Sequence, residues 1–402
     1  MPTIRGLRYR LSQALKITAE HVYTVPGGEI MNIGASHLAP GAKRALIVYT
    51  IQAIPYYVAG NVMQCPIINE HTMYWESAEM VRQLNESGYI VDYYDIFSRV
   101  LINWDEYDLV IDERNNLVNI PVGRQADITK IYYCTGNHWL FQNMAELSRI
   151  RAFHQRHGEY VAPERQVLPV YSDAVSDYMT YFGTPFQLEL FSTRPQRHQL
   201  DISSVHEPAY RPKKMDVARH NFLWLGSGGL VLKGLDLAVE AFIQTPDLHL
   251  YIAGNAEREV HFWNWLKPLL SQHPNLHYLG WTDVGSASFV KIAHECVGTI
   301  YVSSTEGGPG AAAQLTHFGL IPIVTETAAV RAAEALGTVI RSQDPAEIVP
   351  QLVQAVRALA DQPAAELEAR CRAIYEFGQQ HHTRAAYARS FAALLERVAS
   401  RR

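Results

Sequence analysis

Alternation between two kinds of segment constrains this sequence most. From about residue 43 onward, short runs of β-branched and aromatic residues are followed by longer stretches in which apolar residues recur with the 3.6-residue period of a helix. This order is typical of parallel sheets whose strands are joined by crossover helices. The sequence therefore predicts an α/β fold, and its 402 residues are enough for two doubly wound domains.

The first half is predicted to contain strands and helices in turn. The strands are predicted at Ala45–Ile51, Tyr89–Tyr94, Tyr107–Ile111 and Lys130–Cys134, with further candidates at Val167–Tyr171 and Gln187–Phe191. The helices are predicted at Thr72–Asn85, Trp139–His157 and Asp173–Phe182. Around Pro195–Asp216 the periodicity fails while proline, arginine and histidine accumulate, which indicates an interdomain linker.

The second half repeats the alternation with clearer turns. Strands are predicted at Asn221–Leu225, Leu248–Ala253, Asn275–Leu279, Thr299–Ser303, Ile321–Thr325 and Thr338–Arg341. Helices are predicted at Gly234–Phe242, Glu259–Leu270, Phe289–Cys296, Gly310–Phe318 and Val330–Leu336, with only helices over 345–402. Pro268 is expected to kink or end the helix that contains it.

This pattern divides the chain into a first Rossmann-like domain with its linker at 1–215, a second at 216–380 and a terminal helix at 381–402. That helix could cross back to the first domain. Ligands of open α/β sheets bind beyond the carboxyl ends of the strands. The chemistry is therefore predicted in a cleft between two domains that face each other.

Charge and cysteine content exclude several classes of protein. The 35 Lys+Arg and 40 Asp+Glu residues give a net charge of −5, so no strong positive field would recruit nucleic acid. The 4 cysteines have no C-x-x-C spacing, which argues against a disulfide framework or zinc knuckle and favours a cytoplasmic location. No apolar run approaches the roughly 18 residues of a membrane span, and no secretion signal is apparent.

A short basic amphipathic helix is predicted over residues 1–17. Ile4, Leu7, Leu11 and Leu15 recur at helical spacing among arginines and a lysine. One interpretation is peripheral contact with an anionic membrane surface, such as the inner membrane face. The alternative is a terminal helix packed on its own domain with its charges in water.

The first motif with chemical content is a glycine-rich turn between a strand and a helix, FLWLGSGGLVLKGLDLAVEAF at 222–242. Glycine lets a ligand approach the backbone, and open N–H groups there can receive phosphate oxygens. Lys233 adds a mobile positive charge. The alternative is a tight turn with a solvated lysine. The turn consists of Gly226, Ser227, Gly228 and Gly229, and its spacing fits neither the nicotinamide fingerprint nor the P-loop.

A second motif follows a later strand, in TIYVSSTEGGPGAAAQLTHFGLIPIVT at 299–325. A helix entered at Pro309 would direct unpaired N–H groups at an anion. Glu306 would repel a phosphate and instead suits hydrogen bonds from sugar hydroxyls; the alternative is an exposed loop carboxylate. Small residues would let the ligand come close: Gly307, Gly308, Pro309, Gly310 and Ala311.

The order of these motifs resembles the donor-binding half of GT-B glycosyltransferases, in particular glycosyltransferase family 4 (group 1). The resemblance runs through G-S-G-G, K-G-L-D-L, L-Y-I-A-G, L-G-W and S-S-T-E-G-G-P-G over about residues 220–345. It implies that Lys233 binds the donor phosphates and Glu306 the transferred sugar. Two positions depart from the family pattern: Gln314 stands where an acid usually holds the ribose, and Ser227 where many members carry an arginine.

The resemblance also implies residues around the base and the sugar. The loops after the second and third strands of the second half would face the base, and they contain Gly254, Asn255, Trp281 and Thr282, although Trp281 could equally be a core residue. In the first half, His138 follows the fourth strand, where similar enzymes present a polar residue to the sugar. Further acceptor-side candidates are Asn69, Glu70, His71, Asn137 and Trp139.

The resemblance implies a hexosyltransferase that moves a sugar from a nucleotide diphosphate sugar to an acceptor hydroxyl with retention of anomeric configuration. The expected acceptor is a glycan or lipid-linked glycan, in polysaccharide or glycolipid assembly. No D-x-D pair is present at a strand tip, and neither a metal nor another cofactor is expected. Two alternatives stay open: an epimerase or hydrolase of sugar nucleotides with the same fold, and a non-catalytic binder of nucleotide sugars.

Overall fold

The computed structural model describes residues 28–39, 41–193 and 195–400. The predicted helix at 1–17 lies outside the described residues. The chain packs into two compact units, Met1–Ile131 and Tyr132–Arg402. The sequence predicts a different boundary, between residues 215 and 216, and that division into domains stays a prediction.

The first unit is a mainly parallel sheet with short helices. Its strands are β1 Glu29–Ile33, β2 Lys43–Tyr49, β3 Tyr89–Asp95, β4 Leu109–Asp112 and β5 Thr129–Tyr132, whose last residue follows the end of the unit. Its helices are α1 Ile54–Val58 and α2 Thr72–Glu86. The strand order is β1-β3-β2-β4-β5, and β1, which sequence reasoning missed, pairs antiparallel with β3. The central strands carry continuous apolar runs, as parallel strands covered on both faces do.

The second unit begins with helix α3 Trp139–His157, strand β6 Tyr178–Tyr181, helix α4 Pro185–Glu189, strand β7 Gln196–Gln199 and helix α5 Met215–Ala218. The prediction for α3 is confirmed at both ends. Two predictions nearby are wrong: Asp173–Phe182 contains β6 rather than a helix, and Gln187–Phe191 begins inside α4 rather than forming a strand. The predicted linker Pro195–Asp216 contains β7, which pairs in parallel with β6.

The expected strand at Val167–Tyr171 is also wrong, and a side chain explains why. The Asn143 amide accepts a hydrogen bond from the Val167 N–H at 2.9 Å and donates to the Val167 carbonyl at 2.9 Å. An amide side chain thus takes the place of a neighbouring strand, and the segment stays irregular.

The rest of the second unit is a six-stranded sheet with helices. The strands are β8 Asn221–Leu225, β9 His249–Ala253, β10 Leu276–Gly280, β11 Gly298–Tyr301, β12 Ile321–Thr325 and β13 Thr338–Ile340. The helices between them are α6 Leu235–Ile243, α7 Val260–Gln272, α8 Ala287–His294, α9 Gly310–Thr316 and α10 Arg331–Leu336. The order is β10-β9-β8-β11-β12-β13 with parallel pairing, which is the predicted doubly wound arrangement. Pro268 lies inside α7, which nevertheless continues to Gln272.

The chain ends in helices α11 Pro345–Ala360, α12 Ala364–His381 and α13 Arg384–Ser400. Helix α13 contacts residues early in the same unit: the hydroxyls of Tyr133 and Tyr387 lie 3.1 Å apart, and the Tyr178 hydroxyl donates to the Arg397 carbonyl at 3.2 Å. The main core is built on the face of the sheet covered by α6 and α11, around Phe222, Phe242 and Leu352. Apolar burial on this scale holds the strand ends in fixed positions.

Candidate functional site

The predicted ligand-binding segments of the second unit lie at one edge of the six-stranded sheet. Because its strands are parallel, the segments that follow them emerge on the same side. Trp281 follows β10, Gly254 follows β9, Gly226 follows β8 and Glu306 lies after β11. These segments are therefore ordered along the edge as the strands are.

Lys233, Glu306 and Tyr301, the last residue of β11, form a buried polar cluster at the carboxyl ends of β8 and β11. The Lys233 ammonium donates to the Tyr301 hydroxyl at 3.0 Å and to Glu306 Oε1, and the Tyr301 hydroxyl donates to the same oxygen at 2.9 Å. The Lys233 side chain is 6% exposed and that of Glu306 14%. A buried ammonium and a buried carboxylate are tolerated here because each has the other as its partner.

Gly234 is the reason why Lys233 reaches β11. The chain turns into α6 with Gly234 at φ +72°, and a Cβ atom there would lie 2.4 Å from the Val302 carbonyl oxygen. Only glycine permits both this backbone conformation and this close approach. In the K-G pair of the sequence, Gly234 therefore allows the chain to pass close to β11, and this places Lys233 at the strand end.

The charges of the cluster fix the protonation state of Glu306. Burial would raise the pKa of the Glu306 carboxyl, but the Lys233 ammonium, the Arg165 guanidinium and the hydrogen bonds from Lys233 and Tyr301 outweigh it and lower the pKa. Burial and the nearby carboxylate raise the pKa of the Tyr301 hydroxyl. Near neutral pH the cluster thus holds an ionised carboxylate, which accepts hydrogen bonds, and a neutral phenol.

The glycine turn after β8 packs closely against a side chain and against the backbone of the next strand end. A Cβ atom on Gly226 would lie 2.5 Å from the Trp224 ring, and one on Gly254 would lie 2.4 Å from the Gly226 carbonyl oxygen. The Gly226 N–H donates to the Ala253 carbonyl at 3.0 Å, whereas Ser227 and Gly228 are exposed. Packing between strand ends accounts for Gly226 and Gly254 without a ligand.

A carboxylate already occupies part of this turn. Glu259 Oε1 accepts hydrogen bonds from the Gly229 N–H at 2.6 Å and from the Leu230 N–H at 3.1 Å. Burial raises the pKa of Glu259 to about 7, against the effect of these two N–H groups and together with the charges of Glu164 and Glu146. In this structure the Gly229 N–H of the predicted turn and the adjoining Leu230 N–H thus bind a carboxyl group of the protein itself, and binding of a phosphate there stays a prediction.

Solved structures share the architecture that carries these features. Sucrose-phosphate synthase from Thermosynechococcus elongatus matches with a TM-score of 0.57 at 12% identity, over 90% of this chain and 100% of that chain. Anabaena HepE, solved in complex with UDP and glucose, matches with a TM-score of 0.53 at 9% identity, over 88% and 99% of the two chains. The chain has the GT-B fold. The lipopolysaccharide outer core galactosyltransferase WaaB matches with a TM-score of 0.52 at 11% identity, over 88% and 99%.

The similarity to these GT-B glycosyltransferases is confined to structure. No protein-family model matches the sequence, and no curated protein matches it either. At such low identity the solved structures establish the fold and leave family and activity to be argued from the site.

The loop after β11 contacts the segment before α3. The Asn137 amide donates to the Thr305 hydroxyl at 2.8 Å, and this hydroxyl donates to Gln142 Oε1 at 3.0 Å. A Cβ atom on Gly307 would lie 2.5 Å from the Gly136 Cα atom. Asn137 thus fixes the loop that carries Glu306, while its side-chain oxygen Oδ1 is buried without a hydrogen-bond partner among the described residues.

The remaining small residues of this loop adjoin other backbone. Gly308 has φ +119° and lies against Phe182, where a Cβ atom would approach to 2.6 Å. Pro309 is the N-cap residue of α9, which begins at Gly310, with Ala311 half-buried in its first turn. These residues permit close packing at the strand end, and a role in binding a donor stays a prediction.

Both polar atoms of the Gln314 side chain form hydrogen bonds in this structure. Its Oε1 accepts from the N–H groups of Val205 and His206 at 3.1 and 3.0 Å, and its Nε2 donates to the His206 carbonyl at 2.5 Å. A glutamate could accept the first two bonds but could not donate the third. The glutamine therefore attaches α9 to the chain before β8, and contact with a ribose stays a prediction.

Two histidines predicted near the reaction centre cap helices. His138 is the N-cap residue of α3, where its Nδ1 accepts from the Leu140 N–H at 3.3 Å. Its ring also contacts the Phe191 ring at 5.3 Å between centroids. The neutral ring therefore carries its proton on Nε2. Next to it, Trp139 is half-buried with its ring edge-on to Tyr171 at 6.1 Å.

His71 belongs to the other compact unit, together with the exposed residues Asn69 and Glu70. It is the N-cap residue of α2, where Nδ1 accepts from the Met73 N–H at 3.2 Å. An acceptor-side role for these three residues stays a prediction.

Of the base-side candidates, Trp281 is exposed, Asn255 and Thr282 are half-buried, and Gly254 is buried. Trp281 is 70% exposed, so the alternative of a core residue is wrong. The Thr282 hydroxyl donates to the Gly280 carbonyl at 3.2 Å, and the Asn255 amide lies between Glu257 and Arg258. An exposed indole at a strand end is available for stacking.

The described residues contain neither a metal-binding cluster nor a helix that could span a membrane. They contain no group of three or more histidine, cysteine, aspartate and glutamate side chains that could hold a metal ion. None of their helices is long and apolar enough to span a membrane. All four cysteines are buried free thiols.

Sequence reasoning missed Tyr301, Arg165 and Glu259. Tyr301 lies inside the predicted strand Thr299–Ser303, five residues before Glu306, and its hydroxyl could have been included among the candidates. Arg165 lies in a segment without regular structure, and Glu259 reaches the glycine turn from the start of α7. Only the folded structure relates these two to residues so distant in sequence.

Proposed function

We propose that this protein is a glycosyltransferase that moves a sugar from a nucleotide diphosphate sugar to an acceptor hydroxyl. The observation that carries the proposal is the buried Lys233–Glu306–Tyr301 cluster at the carboxyl ends of β8 and β11 of a GT-B fold. An ammonium suits the donor phosphates. An ionised carboxylate suits the sugar hydroxyls.

The strand order suggests how a bound nucleotide sugar would lie along the carboxyl ends of the strands. The base would lie near Trp281 after β10, the diphosphate near Lys233 and the glycine turn after β8, and the sugar near Glu306 after β11. Three steps between neighbouring strands span about 14 Å. HepE was solved with UDP and glucose, so uridine nucleotides are the first donors to test.

Departure of the nucleoside diphosphate leaves negative charge on the β-phosphate. A fixed ammonium beside it stabilises the transition state more than the bound donor, and that is the role of Lys233. Glu306 and His138 hold the sugar. The departing phosphate oxygen accepts the proton of the acceptor hydroxyl, so no separate base is needed. The reaction retains anomeric configuration and needs no metal, as in family 4.

The acceptor is a glycan or a lipid-linked glycan, in polysaccharide or glycolipid assembly in the cytoplasm. Contact of residues 1–17 with the inner membrane face would bring a lipid-linked acceptor close to the enzyme. The four free cysteines are compatible with a reducing compartment.

A binding panel followed by mass spectrometry tests the proposal. We expect one nucleoside diphosphate among UDP, GDP and ADP to raise the unfolding temperature, because a ligand that binds only the folded state stabilises it. Its sugar conjugates are then incubated with and without glycan acceptors, and the products are analysed by mass.

Sugar transfer that depends on acceptor supports the proposal. Turnover of the donor that is the same with and without acceptor would instead indicate a hydrolase or epimerase. Saturable binding with no turnover would indicate a non-catalytic binder. If no nucleoside diphosphate binds, the proposal is wrong.

A further inference from the structure

Arg165 brings a positive charge to the glycine turn from another part of the second unit. It lies in the irregular segment after α3, and its side chain crosses over Gly229, where a Cβ atom would meet Arg165 Cγ at 2.5 Å. The absence of a side chain on Gly229 therefore makes room for the stem of this arginine. The residue as a whole is exposed to solvent.

The backbone of Arg165 is held firmly. Its N–H donates to the buried Glu146 carboxylate at 2.7 Å, and its carbonyl accepts from the Gln142 amide at 3.1 Å. The neighbouring Glu164 N–H donates to the same Glu146 oxygen at 2.8 Å. Within residues 28–39, 41–193 and 195–400, by contrast, no side chain or carbonyl accepts a hydrogen bond from the Arg165 guanidinium, and no carboxylate forms an ion pair with it.

The guanidinium lies close enough to affect the Lys233–Glu306–Tyr301 cluster. After burial and Lys233, its charge is the next influence on the pKa of Glu306, and it acts on Tyr301 as well. Lys233 is already paired with Glu306. A bound diphosphate would face two carboxylates, Glu306 and Glu259, so one lysine alone would leave its charge poorly compensated.

We infer that Arg165 binds the diphosphate of the donor, and this inference rests on the proposed function. A guanidinium can donate two parallel hydrogen bonds to phosphate oxygens, and an arginine that is anchored by its backbone but unpartnered at its tip can do so without breaking another contact. Arg165 would supply from the segment after α3 the second positive charge that Ser227 cannot supply.

The test measures the dissociation constants of UDP and UMP for the wild-type chain and for Arg165→Met, Arg165→Lys and Arg151→Met. GDP with GMP or ADP with AMP replaces the uridine pair if the panel selects another base. Arg151 is an exposed arginine on α3 and serves as the matched control. Arg165 is exposed too, so its replacement is expected to leave the unfolding temperature unchanged.

We expect Arg165→Met to weaken UDP binding about tenfold to a hundredfold and UMP binding less, since a hydrogen bond to a charged group typically accounts for such factors. Arg165→Lys should restore part of the loss, and Arg151→Met should bind as the wild type does. UDP affinity unchanged in Arg165→Met, or equal losses for UDP and UMP, would overturn the inference. Failure of the wild type to bind any nucleoside diphosphate would instead overturn the proposed function.

Discussion

The Glu259 carboxylate binds the amides of Gly229 and Leu230, groups of the kind that receive phosphate oxygens. If the proposed function is right, Glu259 would compete with the diphosphate for these N–H groups when it is ionised and would compete less when it is protonated. With a pKa of about 7, it changes between these states close to neutral pH.

We predict that Glu259→Gln binds UDP more tightly than the wild type at about pH 8, by about tenfold, and that the difference shrinks toward about pH 6. The amide of glutamine can still accept from both N–H groups but carries no charge. Isothermal titration of both proteins across this range checks the prediction, and the comparison cancels the titration of UDP itself. Equal UDP affinities at all pH values would refute it.

At the scale of elements, glycines determine how the strand ends approach each other. Gly234 and Gly280 both have positive φ, +72° and +70°. A Cβ atom on Gly234 would lie 2.4 Å from the Val302 carbonyl oxygen, whereas one on Gly280 would have nothing within 4 Å.

We expect Gly280→Ala to lower the free energy of unfolding by about 1 kcal/mol, the cost of a left-handed alanine. Gly234→Ala should lower it by about 3 kcal/mol or more, because α6 must also move away from β11. Urea denaturation of the two variants measures the difference. Equal losses would mean that the contact with Val302 does not constrain the start of α6.

Local patterns predicted the elements that have strong signals of their own. Strands Asn221–Leu225 and Ile321–Thr325 are apolar except at Asn221 and Thr325 and are bounded by turns, and both are confirmed residue for residue. Tyr178–Tyr181 has no such signal: it becomes a strand because it pairs with Gln196–Gln199, which the sequence analysis assigned to a linker. Pairing between distant segments is not visible in either sequence alone.

In the site too, local motifs predicted some residues, whereas contacts between distant segments were not predictable. The sequence motifs predicted Lys233 and Glu306, and the structure brings their side chains together. The sequence did not predict that Glu259 would occupy the glycine turn, or that Gln314 would bind the backbone of Val205 and His206. These contacts join segments that are distant in sequence, so no local spacing encodes them.

At the scale of the whole molecule, buried histidines make stability depend on pH. Burial, with the nearby Arg331 charge and His317, lowers the pKa of His382 to about 3. An unfolded histidine titrates near 6.5, so as the pH falls the unfolded chain takes up a proton before the native protein does. The free energy of unfolding therefore decreases on acidification below about pH 6.5.

We predict that His382 alone accounts for a loss of about 2 kcal/mol between about pH 7 and pH 5. His382→Gln should reduce the pH dependence by that amount, while replacement of the exposed His261 by glutamine should leave it as in the wild type. Urea unfolding of the three proteins at both pH values measures this loss of free energy. The raised pKa of Glu259 contributes with the opposite sign, but it does so in all three proteins and therefore cancels in their differences. The same slope in all three would contradict the prediction.

The dissociation constant of UDP for two variants tests most directly whether the Lys233 ammonium binds the donor phosphates. Glu306→Gln serves as the reference, since it removes the buried charge that Lys233 would otherwise leave unpaired, and Lys233→Met is added to it. We predict UDP binding at least about tenfold weaker in the double variant, because a buried ammonium beside a phosphate contributes more than a neutral hydrogen bond. The same UDP affinity in both folded variants would contradict the account.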